Sequence, residues 1–424
     1  MRDFLLGKTP ADFDIATDAK PEQVQKLFPR TVAVGAQFGV ICVIENGDEF
    51  QVASFRADGV YIDGRHPVDV TFSTPRMDAE RRDFTINGMF RDPVGGEVID
   101  YVNGRADLEA RVVRAIGNAG DRFREDRLRM LRAVRFAASL DFSIEPQTWN
   151  ALRESSGEIK AVSPERIRDE LVRIFVSAGR VRGFDLLEAS GLMQAILPEI
   201  TALKGCEQPP QFHPEGDVFV HTRKMLELLP AEVSPALVFS VLFHDIGKPS
   251  TLSYDEGDHR IRFSGHDKLG TIMTRRIMER LRFSGAEIAA ACEAVDNHMV
   301  FKDVRNMRLS RLKRFMSRPH FEDEMALHKV DCQSSHGWLD NYDFLLNKKE
   351  EFSKEPLIPP PLITGHDLLN LGWKPGPLIG KALEAVQTRQ LEGQLATREQ
   401  ALEWVTGVFG PETSRGRRAE AEGR

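Results

Sequence analysis

Hydrophobic periodicity changes once along this chain, near residue 105, and that change narrows the available folds more than any other feature. Before it, apolar and polar residues alternate in short runs: Phe13-Asp14-Ile15-Ala16, Gly39 to Ile44, and Glu49 to Phe55. The last two runs flank Asn46-Gly47, the pair best suited to a tight hairpin turn. After residue 105 the apolar residues recur at helical spacing to the end, interrupted by loops around Gln208-Pro209-Pro210, Pro356 to Pro361 and Lys374-Pro375-Gly376-Pro377. The expectation is an α+β chain, a small mixed-sheet head followed by an all-helical body, without internal repeats. From Pro411 onward the residues are polar and expected to be disordered.

Charge limits the partners. A formal net charge of −7 argues against a protein that coats nucleic acid indiscriminately. Lys and Arg nevertheless outnumber Asp and Glu between Arg111 and Arg180, so nucleic-acid contact is expected there. Cys42, Cys206, Cys292 and Cys332 form no CxxC pair, which points to free thiols in a reducing compartment. No signal-like segment and no apolar run of transmembrane length is present, so a soluble cytoplasmic protein with no membrane partner is expected.

Three segments carry one chemistry in sequence order. Asp12 and Asp14 stand two apart on a strand and so share a face, the arrangement of hard oxygens that Mg²⁺ favours. Arg81-Arg82-Asp83-Phe84-Thr85-Ile86-Asn87 clusters guanidinium forks that can clamp a triphosphate with an acid that can accept from a ribose hydroxyl. In Glu125 to Phe136, helical spacing puts Glu125, Asp126, Arg129 and Arg132 on one face, opposite Leu128, Leu131, Val134 and Ala138. Asp accepts and Arg donates in a flat fork, so together they can imitate the edge of a base. The same spacing turns Arg127 toward the apolar side, where it has no evident role.

These segments, with Arg2-Asp3-Phe4-Leu5-Leu6-Gly7 before them and Ser163-Pro164-Glu165-Arg166-Ile167 and Glu170-Leu171 after, resemble the successive motifs of class II tRNA nucleotidyltransferases, the CCA-adding enzymes and their bacterial poly(A) polymerase relatives. The resemblance implies that Asp12 and Asp14 are catalytic and hold Mg²⁺. It further implies that Arg2, Asp3, Arg81, Arg82, Asp83, Asn87, Glu125, Asp126, Arg129 and Arg132 bind the nucleotide, with Glu125, Asp126 and Arg129 as the base template. Arg135, Glu165 and Arg166 would then face RNA, and the partners would be tRNA, CTP and ATP. The implied division is a head at 1–118, a helical neck at 119–204, an HD domain at 205–355, a tRNA-binding tail at 356–410 and a disordered terminus at 411–424. Relatives carry a Gly-Gly or Gly-Ser turn before the Arg-Asp pair, whereas this sequence starts Met1-Arg2-Asp3, so an N-terminally shortened head is expected. Gln51 stands where relatives place a third carboxylate; Glu49 shares its face, so the third ligand is Glu49 or none. The Gly- and Asp-rich stretch Phe55 to Pro67 resembles the family's element for switching from CTP to ATP and favours addition of CCA or of A alone. The arginine-rich mark of poly(A) polymerases is missing near Gly35 to Gly39, which makes that activity the alternative.

A second constellation lies in the helical part: His221, then His244-Asp245 at the end of the apolar run Leu237 to Phe243, then Asp331. Two imidazoles and two carboxylates make a mixed N/O metal site. This order resembles that of HD-domain phosphohydrolases, which implies a divalent transition metal or Mg²⁺, with His266 and His298 as ligands to a possible second ion. Metal-activated water attacking a 2′,3′-cyclic phosphate or a phosphomonoester is the implied reaction. An HD phosphohydrolase with an inactive head is a further alternative.

Overall fold

The computed structural model describes residues 1–10, 13–33, 39–58, 70–257 and 260–410. Asp12, most of the Gly35 to Gly39 turn, the 59–69 part of the Gly- and Asp-rich stretch and the segment from 411 onward lie outside the described residues. The chain forms two compact units, Met1–Val295 and Asp296–Arg424.

The first unit opens on a four-stranded sheet of β1 (Asp14–Thr17), β2 (Thr31–Val32), β3 (Val40–Glu45) and β4 (Asp48–Ser54), in the order β1-β4-β3-β2. Only β1 and β4 are parallel. Asn46 and Gly47 both take positive φ, 53° and 91°, which gives the β3–β4 hairpin the backbone twist that its strands need. Val52 pairs with Ile41 and is buried with Val43 and with Val24 of the Pro21–Leu27 helix. Side chains alternate along a strand, so seating Val52 inward sends Gln51, and Asp14 paired with it, to the opposite face. Asp14 is exposed there.

Beyond the sheet, Thr74 caps the helix Pro75–Glu80, and the short 3-10 turn Thr85–Asn87 is pinned by fully buried Phe84 and Ile86. The Phe84 ring meets Phe136 edge-on at 5.8 Å. Phe136 lies on the helix Arg129–Leu140, whose apolar face buries Met130, Leu131, Val134 and Ala138.

The chain departs at Asp126 from the single helix that its spacing predicts. Glu125 to Phe136 is not one helix: Ala119–Glu125 ends at Asp126, and the next helix starts at Arg129. Asp126 is extended, with φ −142° and ψ 103°. Its carboxylate accepts the backbone N–H of Leu128 at 3.1 Å and is gripped by Arg166 at 3.2 and 2.8 Å. An aspartate that finds such partners prefers a cap to a helix interior. Periodicity carried across that break does not describe the actual face.

The helices Pro164–Phe175 and Arg180–Ser190 pack against Arg129–Leu140. Their approach is close enough that a Cβ at Gly179 would stand 2.0 Å from the backbone oxygen of Ala138. Further on, every residue from Leu237 to Phe243 in the helix Pro235–Phe243 is buried, as its unbroken apolar run requires.

The second unit is helical and has two apolar clusters. One gathers Phe301, Phe315, Phe321 and Leu345; the other gathers Ile363, Leu368, Val386 and Val405. Thr364 and Thr397 close capping boxes on the helices Gly365–Asn370 and Arg398–Phe409. Among the described residues no helix is long and apolar enough to cross a membrane.

Because a backbone atom cannot yield as a side chain does, Gly179→Ala is expected to lower the unfolding free energy by about 1–3 kcal/mol, by urea titration. Unchanged stability would show that the two helices have slack at this crossing.

Candidate nucleotide site and histidine cluster

The Arg81–Asn87 segment is organised by a residue that the sequence motifs do not mark. Asp78 is buried and accepts from Arg81 Nε at 2.9 Å and Nη2 at 2.6 Å, and from Arg82 Nε at 3.3 Å and Nη2 at 3.0 Å. One carboxylate thus orients two guanidinium groups. Its spacing, three and four residues before the arginines that follow the helix Pro75–Glu80, is the signal that could have revealed it. Arg82 also donates through Nη1 to the Asn87 carbonyl at 3.0 Å, and its guanidinium lies 4.6 Å from the Phe90 ring centre.

Asp83 is buried with both carboxylate oxygens engaged. Oδ1 accepts from the Phe84 N–H at 2.8 Å and from Asn87 Nδ2 at 3.0 Å, and Oδ2 accepts from Arg132 Nε at 2.7 Å. Burial pushes the Asp83 carboxyl up, but the Arg132 charge and these hydrogen bonds outweigh it and hold the group below the usual carboxylate range. Arg2 donates to Asn87 Oδ1 at 2.9 Å and to Asp3 at 2.8 Å. Arg2, Arg132 and Arg135 all lie over the Phe136 ring, at 4.8, 5.4 and 4.1 Å from its centre.

The template residues join this group from the other side. Arg129 is buried; its Nη1 pairs with Glu125 at 2.6 Å and its Nη2 donates to the Arg81 carbonyl at 3.0 Å. Arg122 shares the same Glu125 oxygen at 3.0 Å. Asp126 is held by Arg166, and Arg135 by the buried Glu170 at 2.6 Å. Arg127, left without a role by spacing, pairs with Glu158 at 3.0 Å. Glu165 stands apart, exposed, with its carboxylate 4.0 Å from Arg282. On the sheet, Asp14, Gln51 and Glu49 share the outer face, with Glu49 about 7 Å further along its strand than Gln51.

The histidine cluster of the first unit is buried. His221, His244 and Asp245 bring potential ligand atoms within 4.8 Å of one another. His244 Nε2 is 3.0 Å from Asp245 Oδ2, and His266 Nε2 is 3.4 Å from Asp245 Oδ1. Lys248 reaches Asp245 Oδ2 at 2.7 Å and donates to Gln208 at 2.7 Å. Burial raises the Asp245 carboxyl, but its neighbours His244 and Lys248 more than reverse this and keep it well below its ordinary value. His213 and Glu215, which no motif marked, complete a second group with His221. His298, at the start of His298–Asn306, and Asp331, on the helix Phe321–Ser334, belong to the second unit.

Comparison with known proteins gives consistent matches. A family model described as "Poly A polymerase head domain" matches residues 1–114, and one described as "Probable RNA and SrmB- binding site of polymerase A" matches 141–204. A third, for tRNA nucleotidyltransferase domain 2, matches 359–405. The chain is 31% identical to an A-adding tRNA nucleotidyltransferase of Deinococcus radiodurans, over 96% of this chain and 93% of that protein. It is 30% identical to a CCA-adding enzyme of Lactobacillus johnsonii, over 95% and 90%. The fold resembles that of a Bacillus stearothermophilus CCA-adding enzyme solved in complex with CTP: TM-score 0.74, 24% identity, 99% of this chain and 92% of that one.

The Asp83–Arg132 pair generates a test with a defined sign. A carboxyl held below its unfolded pKa contributes fully above about pH 4 and loses that contribution as pH falls through the lower, folded value. Asp83→Asn is expected to cost about 1.5–3 kcal/mol at pH 7 and to flatten the acid limb of stability against pH, followed by urea unfolding between pH 7 and pH 3. Parallel acid limbs in the two proteins would rule the pair out as a source of acid sensitivity.

Proposed function

This chain belongs to the tRNA nucleotidyltransferase family, and on that premise we propose that it extends tRNA 3′ ends, adding CCA or the terminal A from CTP and ATP without a nucleic-acid template. The observation that carries the reading is the Arg129 hydrogen bond to the Arg81 carbonyl. It fastens the base-template residues to the triphosphate-clamp residues, so a nucleotide whose phosphates rest on Arg81 and Arg82 has its base beside Glu125, Asp126 and Arg129. An A-adding relative and a CCA-adding relative stand at nearly equal identity, which keeps both products within the proposal.

In the proposed reaction the tRNA 3′ oxygen forms a bond to the α-phosphorus, and the bond from that phosphorus to the leaving pyrophosphate breaks. Arg82 is oriented by Asp78 and Asn87, and each of its terminal nitrogens carries a second N–H beyond those bonds, directed by a fixed fork to phosphate oxygens. Asn87, held by Asp83 and Arg2 and bonded through its carbonyl to Arg82, is the residue assigned to the ribose. Asp14 offers a hard, exposed carboxylate on the outer face of the sheet, which suits Mg²⁺, with Asp12 as its expected companion. Bound there, Mg²⁺ supplies stabilisation of charge on the attacking and leaving oxygens. A cytoplasmic setting, where tRNA, CTP and ATP meet, is part of the proposal.

A second activity is favoured by the buried His221–His244–Asp245 group. Two imidazoles and a carboxylate suit a divalent transition metal better than Mg²⁺, which prefers oxygen ligands and retained waters. We assign to it hydrolysis of a 2′,3′-cyclic phosphate or phosphomonoester, with His266, His298 and Asp331 entering from their order in the sequence.

Incubation with tRNA lacking its 3′ end and labelled CTP or ATP is expected to yield a product ending in CCA, or in A on a CC-ended substrate, and Asp14→Ala is expected to reduce it to background. A long poly(A) product would overturn the proposal. Arg129→Ala is expected to lose about 1–3 kcal/mol of discrimination between correct and incorrect nucleotides, read as the ratio of their kcat/KM values. An unchanged ratio with a lower overall rate would remove Arg129 from the template.

A further inference from the structure

Three histidines of the first unit are anchored in the same manner and differ in one respect. His244 Nδ1 is 2.8 Å from the Val241 carbonyl, and His266 Nδ1 is 2.8 Å from the Phe263 carbonyl. A carbonyl only accepts, so each ring carries its proton on Nδ1 and presents Nε2, which in both cases is the nitrogen near Asp245. For His221 a carboxylate takes that role. Its Nδ1 is 2.7 Å from Oε1 of Glu215, a carboxylate whose side chain is 2% exposed.

Glu215 sits in His213-Pro214-Glu215, just ahead of Asp217, which caps the helix Val218–Leu228 that carries His221. The same Oε1 is 2.9 Å from His213 Nδ1, and Oε2 is buried without a hydrogen-bond partner among the described residues. A charge placed in the interior with one oxygen unsatisfied is costly, and surface attachment of a loop does not require it. A carboxylate behind a ligating imidazole does have a function: it fixes the ring and the tautomer, and makes the opposite nitrogen a stronger donor.

We infer that Glu215 is the positioning residue of the histidine cluster, holding His221 through Nδ1 so that Nε2 faces His244 and Asp245 and strengthening the cluster's grip on a divalent transition metal. This rests on the metal-dependent reading of the cluster proposed above, which names the ligands and leaves Glu215 out. His213 is then a partner that orients the carboxylate. Its ring stands edge-on to His221 at 5.0 Å and does not belong to the group that contains Asp245.

The test is titration of the chelator-treated full chain with Mn²⁺, followed calorimetrically, with His244→Ala defining which binding event belongs to the cluster. Glu215→Gln, which keeps the shape and removes the charge, is expected to weaken that event about 10–100-fold. Transfer to tRNA, in which Glu215 has no part, should persist and report that the variant is folded. An affinity within twofold of the parent, with His244→Ala still abolishing the event, overturns the role of Glu215 and leaves the metal site standing. Absence of any event sensitive to His244→Ala in the parent protein overturns the metal reading itself, and this inference with it. Should Glu215→Gln also lose transfer, Glu215→Asp carries the test: it restores a charged acceptor and must bind Mn²⁺ more tightly than Glu215→Ala, and equal binding by the two rejects the inference.

Discussion

The ion pair of buried Asp83 with half-buried Arg132 holds the nucleotide-site residues around it in place. Asp83 belongs to the segment that follows the sheet and Arg132 to the first long helix, so the pair joins two parts of the unit that also meet through the Arg129 hydrogen bond to the Arg81 carbonyl and through apolar surface such as Phe84 against Phe136. Apolar contact sets distance but tolerates sliding. A charged pair with directed hydrogen bonds does not. Asn87 donates to the same carboxylate and accepts from Arg2, so its position follows from the pair and that of Arg2 from Asn87. Removing one partner would strand the other in a partly buried place, which is why such a pair resists drift once formed.

Much of this was legible in the residues. Strands β3 and β4 could be read because alternation and an Asn-Gly turn specify register together, and that register puts Asp14 on the outer face. The apolar run Leu237 to Phe243 announced a buried helix, and the order of charged motifs announced nucleotide chemistry. What escaped was whatever depends on partners distant in sequence. Asp126, where the helix breaks, is held in part by Arg166, forty positions away, and no periodicity encodes that partner. Glu215 looks like any acid in a Pro-containing loop until folding places two histidines against it. Asp78 was hidden less deeply, since its two arginines follow it at helical spacing.

Both candidate sites follow one rule: the residues that would touch a ligand are themselves held by residues that would not. Asp78 aims Arg81 and Arg82, Glu170 takes Arg135, and carbonyls or a carboxylate seat the three imidazoles. Such support reduces the rotamer freedom that ligand binding would otherwise have to freeze, so recognition costs less entropy when it occurs. It also places conformational control in side chains that a search for ligand contacts overlooks.

The break at Asp126 has a mechanical consequence. In an unbroken helix the separation between residues 126 and 129 would be set by the fixed rise of about 1.5 Å per residue, a ruler with one graduation. Here the acid lies outside the helix that carries the arginine, and its place is set by Arg166 on a third segment. The acceptor and the donor therefore work as the jaws of a caliper. Their opening answers to the seating of the Pro164–Phe175 helix, so a substitution far from any nucleotide can alter the gauge without changing either jaw.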